Sequence, residues 1–188
     1  MDLYFLYSYY IEMIYFIRHG QSQANANGLF AGQKDDSPLT DEGRNQALLT
    51  AQSFKNKHII IDTIIHSSLS RASETAKIIA NELEYTQELK IDDRITEYDM
   101  GDLTSTPTHT MTSLELIAIP HTESVDDFYN RIHEFVQEIK NLHGNILIVS
   151  HAGVGRMLET IRTGADKKLF YDVPSYANAS ITELNWIV

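Results

Sequence analysis

Four apolar runs punctuate the chain, and helical spacing fills the gaps between them. Ile14-Tyr15-Phe16-Ile17 reads as a buried strand, and Ile59-Ile60-Ile61-Asp62-Thr63-Ile64-Ile65 contains a second. Residues 89–91 suggest a short third, and Asn145-Ile146-Leu147-Ile148-Val149-Ser150 reads as a fourth. Short runs of β-branched and aromatic residues favour strands because they pack well on a pleated, buried surface. Thr40 stands where an N-cap belongs, ahead of Ala47, Leu48, Ala51 and Phe54 at helical spacing. Ser67 or Ser70 precedes a second helical stripe of Ala72, Ala76, Ile79 and Leu83. Ser124 precedes a third, with Val125, Phe128, Ile132, Phe135, Val136 and Ile139 on one face, and Gly144 is expected to end it. A further helix is predicted over residues 155–161 and a last strand over 180–187. Residues 102–122 show no period and are rich in threonine, so a loop or short irregular helix is expected there.

Strands alternating with helices predict an α/β domain around a parallel sheet. With 188 residues and no internal repeat or linker, one domain is the simpler organisation, and residues 13–188 are assigned to it. Residues 1–12 are rich in tyrosine and carry no basic residue, which makes a poor signal peptide. They are read as a dispensable extension, with Met13 as an alternative start.

Composition narrows the partners. A net charge of −11 argues against general affinity for nucleic acid or an acidic membrane, and no apolar run is long enough to cross a bilayer. The absence of cysteine removes disulfides and thiolate chemistry and fits a cytoplasmic location. Against this acidic background, three polar clusters follow three of the strands: Arg18-His19-Gly20, Ser67 to Arg71, and His151-Ala152-Gly153. If the strands are parallel, their carboxyl ends share one edge, which is where open α/β sheets build their sites. Two histidines and two arginines converging there suit a phosphate.

The residues also carry a resemblance. Arg18-His19-Gly20-Gln21-Ser22-x-x-Asn25 resembles the opening signature of the histidine phosphatase superfamily, the phosphoglycerate mutase-like proteins. Asp36-x-Pro38-Leu39-Thr40-x-x-Gly43-x-x-Gln46-Ala47 is similar to its next block, and Ser67-x-Leu69-x-Arg71-Ala72-x-x-Thr75-Ala76 to its third. Val149-Ser150-His151-Ala152-Gly153 resembles the fourth, and Asn178-Ala179-Ser180-Ile181-Thr182 the closing segment.

The resemblance implies a three-layer α/β/α sandwich whose mostly parallel sheet has one antiparallel edge strand. It implies a phosphatase that hydrolyses a small phosphomonoester through a covalent phosphohistidine on His19, without cofactor or metal. Arg18 and Arg71 would grip the phosphoryl oxygens, and His151, expected to be protonated, would stabilise the charge on the transferring group. Glu97, in Glu97-x-x-x-Gly101-x-Leu103, resembles the family's general acid and base; Asp99 is the alternative. Gln21, Ser22, Asn25, Ala31, Gly32, Ala152 and Gly153 complete the expected substrate contacts, and Thr104 to Ser113, with His109, form a candidate wall. The partner is then a small phosphorylated metabolite.

Other motifs fail. Gly153-Val154-Gly155 lacks the third glycine of a dinucleotide loop, where Leu158 stands. His133-Glu134 lacks the second histidine of a zinc helix, and no Gly-x-Ser-x-Gly elbow surrounds Ser150. Two alternatives stay open: phosphoglycerate mutase-type transfer, and a noncatalytic member that binds a phosphorylated ligand or a protein. Residues 98–122 hold no lysine or arginine for a substrate carboxylate, which favours the phosphatase over the mutase.

Overall fold

The computed structural model describes residues 11–185. In chain order its elements are β1 (Ile11–Arg18), α1 (Gln23–Ala26), α2 (Asp41–Asn56), β2 (Thr63–His66), α3 (Ser70–Glu82) and β3 (Lys90–Ile91). There follow α4 (Ser113–Ile117), α5 (Val125–Ile139), β4 (Gly144–Ser150), α6 (Ala152–Thr163) and β5 (Ile181–Leu184). Residues 1–10 of the expected extension, and the expected end of the last strand at 186–187, lie outside the described residues. β1 starts at Ile11, two residues before the expected domain start.

The five strands are ordered β3-β2-β4-β1-β5. β4 runs parallel to both β1 and β2, β3 runs parallel to β2, and β5 alone is antiparallel, on the edge beside β1. Alternation along the strands divides the core in two. Ile14, Phe16, Ile146 and Ile148 face α5 and α6, while Tyr15, Ile17, Leu147 and Val149 face α2 and α3. Burial on both faces explains why β1 and β4 read as unbroken apolar runs. The result is a mixed α/β/α sandwich. Among the described residues no helix is long and apolar enough to cross a membrane.

Local signals set most boundaries. The Thr40 side chain accepts the Gly43 N–H at 3.0 Å and opens α2; Ser124 does the same for α5 through the Asp127 N–H at 3.0 Å. Three expectations need correction. Neither Ser67 nor Ser70 caps α3: the N-cap position is Leu69, without a side-chain bond, and the Asp36 carboxylate accepts the Ser70 N–H at 2.7 Å from 34 residues away. Gly144 does not end α5, which closes at Ile139. It opens β4 instead, at φ +76°, where a Cβ would come within 2.2 Å of the Asp62 carboxylate. The helix after β4 starts at Ala152, three residues earlier than expected. Ile60 is 75% exposed, because β2 begins only at Thr63.

Candidate active site

Parallel register brings the histidines together. Arg18 pairs with Ser150, so the next residues, His19 and His151, leave adjacent strands side by side. Neighbouring strands lie about 4.8 Å apart, and the two imidazole centroids are 5.2 Å apart. His66 pairs with Val149 on the other side of β4, which puts Ser67 level with the same edge. Both catalytic-candidate rings are buried, His19 at 3% and His151 at 0% exposure.

The protonation of His19 follows from its contacts. Its Nδ1 lies 2.7 Å from the Gly20 carbonyl, an acceptor only, so Nδ1 carries the hydrogen. Nε2 then presents a lone pair, and the Arg71 Nε–H donates to it at 3.2 Å. Burial, then Arg71 and Arg18, hold the His19 pKa well below the usual 6.5. The ring is therefore neutral, with no hydrogen of its own on Nε2. The turn that carries it is held by close backbone contact: a Cβ on Gly20 would meet the Gly43 carbonyl at 2.3 Å, and one on Gly43 would meet the Gln21 carbonyl at 2.1 Å. The Gly20 N–H donates to Thr75 Oγ1 at 3.0 Å, and Asn178 Nδ2 donates to the His19 carbonyl at 2.9 Å.

Arg71 enters from the first turn of α3 and is 1% exposed. A buried guanidinium is costly unless its donors are satisfied. Nη1 donates to the Asp35 carbonyl at 2.9 Å and Nη2 to the Gly32 carbonyl at 2.8 Å. Arg18, at the end of β1, donates from Nη1 to the Tyr176 carbonyl at 2.8 Å, while its Nε is buried without a partner.

Burial, then Arg71, His19 and Arg18, hold the His151 pKa well below 6.5 in the unliganded chain. Its Nε2 lies 2.8 Å from Ser67 Oγ, which also accepts the Leu69 N–H at 3.3 Å. The remaining Ser67 hydrogen suits donation to Nε2, which leaves the imidazole proton on Nδ1, the ring atom without a partner.

Glu97 stands at the amino end of α6. The Gly153 N–H donates to Oε1 at 3.0 Å and lies 3.2 Å from Oε2, and the Tyr98 N–H donates to Oε1 at 2.9 Å. A Cβ on Gly153 would come within 2.3 Å of Oε1, so only glycine permits this contact. The Glu97 segment is anchored from behind by Arg131 of α5. Arg131 donates to the carbonyls of Arg94, Thr96 and Glu97 and is forked onto the Glu123 carboxylate at 2.7 and 2.9 Å.

These groups open onto a cleft of about 160 Å³. Arg18, His19, Arg71 and Glu97 line it with Asn25, Phe30, Ala31, Gly32, Ala152 and Gly153. Tyr98, Met100, Thr108, Arg156, Tyr171 and Ser175 shape its walls. Asn25 uses Oδ1 to accept the Ser22 N–H and Asn178 Nδ2, each at 3.2 Å, which leaves its amide hydrogens uncommitted.

Residues 14–187 match the histidine phosphatase superfamily (branch 1). The chain belongs to that family. It is 30% identical to a protein named putative phosphoserine phosphatase 2 from Hydrogenobacter thermophilus, covering 93% of this chain and 90% of that one. It is 34% identical to a probable phosphoglycerate mutase GpmB of Yersinia pestis, over 79% and 74% of the two chains. Among solved structures, Bacillus stearothermophilus YhfR superposes with a TM-score of 0.78 at 25% identity, covering 92% and 90%. Membership supports phosphatase or phosphoryl-transfer chemistry in general.

The family's motif blocks divide into groups that reach the cleft and groups that build it. Gln21 and Ser22 do not line the cleft: Thr40 Oγ1 donates to Gln21 Oε1 at 2.8 Å, and Ser22 is the buried N-cap of α1. His151 is covered and bonds Ser67. Asp99, the alternative acid, lies outside the lining residues and pairs with Lys34 at 3.0 Å. From the candidate wall Thr108 lines the cleft, and His109 packs edge-on against Phe30 at 5.5 Å. The sequence reading missed Arg156 and Arg131. Arg156 had a usable signal: it lies three residues after Gly153, on the same face of one helix.

The two depressed histidines have a consequence for stability. Above the usual histidine value of 6.5 neither state of the chain protonates them, and their contribution to stability is complete. As the pH falls below 6.5 the unfolded chain takes up protons that the folded chain refuses, so stability drops until the folded-state values are reached. The slope steepens toward one proton per histidine as the pH falls further below 6.5. Urea midpoints at pH 7.5 and 5.5 check this: the native chain should lose more stability than a His19→Gln, His151→Gln double variant. Parallel losses in the two would contradict it.

Proposed function

We propose that this protein hydrolyses small phosphomonoesters through a phosphohistidine on His19. The observation that carries the reading is the state of His19: a neutral ring whose Nδ1–H is fixed on the Gly20 carbonyl, leaving the Nε2 lone pair beside Arg71. In the first step Nε2 forms a bond to phosphorus as the ester P–O bond breaks, and Glu97 gives its proton to the departing oxygen. Arg18 and Arg71 grip the nonbridging oxygens, and His151 stabilises the charge on the transferring group through Nδ1, its ring atom without a partner. Asn25 Nδ2 and the amides of Ala152 and Gly153 add donors. In the second step the Glu97 carboxylate takes a proton from water, whose oxygen bonds to phosphorus as the N–P bond breaks, and inorganic phosphate departs. Permanent charge on the arginines does what a metal would otherwise do, and no cofactor is called for.

Likeness to a probable phosphoglycerate mutase raises phosphoryl return to a second hydroxyl as the other reading. The lack of any lysine or arginine in residues 98–122 favours hydrolysis. The test is a panel of phosphorylated metabolites, with phosphate release and isomer exchange of phosphoglycerates followed together. Release well ahead of exchange is expected. Dominant exchange would make the protein a mutase, and neither activity would leave a binding protein.

Arg131 gives a further expected result. It touches no reacting atom and acts by positioning Glu97. Arg131→Leu should lower stability by about 2 kcal/mol or more, given the charged hydrogen bonds it removes. It should also slow alkyl phosphates more than p-nitrophenyl phosphate, because only the former depend on a well-placed acid. Equal slowing of the two would reduce Arg131 to a structural brace.

A further inference from the structure

Arg71 is held from outside its own helix. Its Nη groups donate to the carbonyls of Gly32 and Asp35, in the segment between α1 and α2. The next residue of that segment, Asp36, is tied to Ser70, the neighbour of Arg71 in the first turn of α3. Asp36 Oδ1 accepts the Ser70 N–H at 2.7 Å, and the Ser70 hydroxyl lies 2.9 Å from that oxygen and 3.1 Å from the Asp36 carbonyl. Leu69, at the N-cap position, offers no side-chain bond, so this distant carboxylate closes the helix start. Among the described residues it is also the one carboxylate within ion-pair range of Arg71, 3.9 Å from Nη1.

The anchor is itself braced. The Asp35 carboxylate accepts the Ser37 N–H at 3.0 Å and lies 3.4 Å from the Ser105 hydroxyl. Ser37 Oγ accepts the Ala24 N–H at 3.2 Å, and the Pro38 carbonyl accepts the Gln23 N–H at 2.9 Å. Asp36 therefore joins a fixed segment to α3 at the residue before Arg71. A long side chain held in place before its ligand arrives spares binding the entropy of ordering it. Without the tie, the segment and the helix start can part, and both carbonyl grips on the guanidinium loosen with them. The charge of Asp36 matters less. Its side chain is 48% exposed, and 3.9 Å is too long for a hydrogen bond to Arg71.

We propose that Asp36 is a positioning residue for phosphate binding. By capping the turn that carries Arg71, it holds the guanidinium where phosphoryl oxygens are gripped. Asp36 does not line the cleft and touches no reacting atom. The inference rests on reading Arg71 as a phosphoryl ligand, and it names a residue that sets Arg71 in place.

Paired substitutions separate positioning from helix stability, with inorganic phosphate as the probe in calorimetric titration of the full chain. Asp36→Ala should weaken phosphate binding about tenfold and lower the urea midpoint. Adding Ser70→Pro repairs the helix start alone. Proline suits the first helical position and has no N–H to leave unpaired, and Leu69, at φ −62° and ψ 137°, already has the backbone that a following proline needs. The Asp36→Ala, Ser70→Pro double variant should regain the urea midpoint and keep the weak phosphate binding. It carries the same comparison with the native chain if Asp36→Ala does not fold. Asp36→Asn keeps an oxygen that accepts from Ser70 and should bind phosphate within about threefold of the native chain. Affinity that recovers together with the midpoint in the double variant would overturn the proposal and leave Asp36 a helix cap. Native-like affinity in Asp36→Ala, or an Asp36→Asn variant as weak as Asp36→Ala, would overturn it too. Arg71→Ala tests the underlying reading separately: undiminished phosphate affinity there would remove Arg71 from the phosphate site, and the proposal with it.

Discussion

Replacing His19 by alanine is expected to abolish phosphate release, with kcat falling about 10,000-fold or more. The size follows from what is lost. No other described nucleophile occupies the same place: His151, at 5.2 Å, is tied through Nε2 to Ser67 and carries its proton on Nδ1 in the arrangement its contacts favour. Water is left to attack a phosphorus whose charge the arginines still neutralise, so some residual hydrolysis should survive. The fold should survive as well, because the backbone of the turn has bonds of its own. The His19 N–H donates to the Ser150 carbonyl at 2.8 Å, and the Ala179 N–H donates to the Arg18 carbonyl at 2.8 Å. Circular dichroism and a urea midpoint on the variant establish that point before activity is compared. Acid-quenched labelling adds a second reading: the native chain should hold acid-labile phosphate and the variant none. Near-native turnover by folded His19→Ala would end the phosphohistidine mechanism, whatever the identity of the substrate.

Much of this arrangement was legible in the sequence, because its determinants are local. The apolar runs of β1 and β4 are buried on both faces, so each reads as a strand without help from its neighbours. Thr40 and Ser124 cap their helices through amides only three residues away. Once β1 and β4 are parallel neighbours, the positions of His19 and His151 follow from register. What stayed hidden depends on residues distant in sequence. The α3 cap comes from Asp36, and Gly144 is reserved for the approach of Asp62. The charge state of His151 follows from burial among Arg71, His19 and Arg18, which meet only in the folded chain. Arg131 and Arg156 sit in helices where a lone arginine reads as a solvated surface charge. Arg131 is fixed by three carbonyls on another segment, and Arg156 is turned to the cleft by stacking on Tyr171.

Glu97→Gln is expected to split the reaction by leaving group. Glutamine keeps an oxygen that can accept the Gly153 and Tyr98 amides, so the segment should hold its shape while the proton is lost from its chemistry. Departure of an alkoxide then needs a proton from water, and phosphorylation of His19 by an alkyl phosphate should slow by about 100- to 10,000-fold. p-Nitrophenolate leaves readily without protonation, so its first step should slow far less. The second step still needs a base to activate water, and that base is gone. A burst of p-nitrophenol matching the enzyme concentration should therefore appear, followed by slow turnover, with phosphorus held on His19 during the slow phase. Stopped-flow absorbance reads the burst, and acid-quenched labelling reads the intermediate. Similar slowing of the first step for both substrates, with no burst, would remove Glu97 from the acid and base roles. Asp99, paired with Lys34 and outside the cleft, would not be a ready replacement, and water itself would then have to protonate the leaving group.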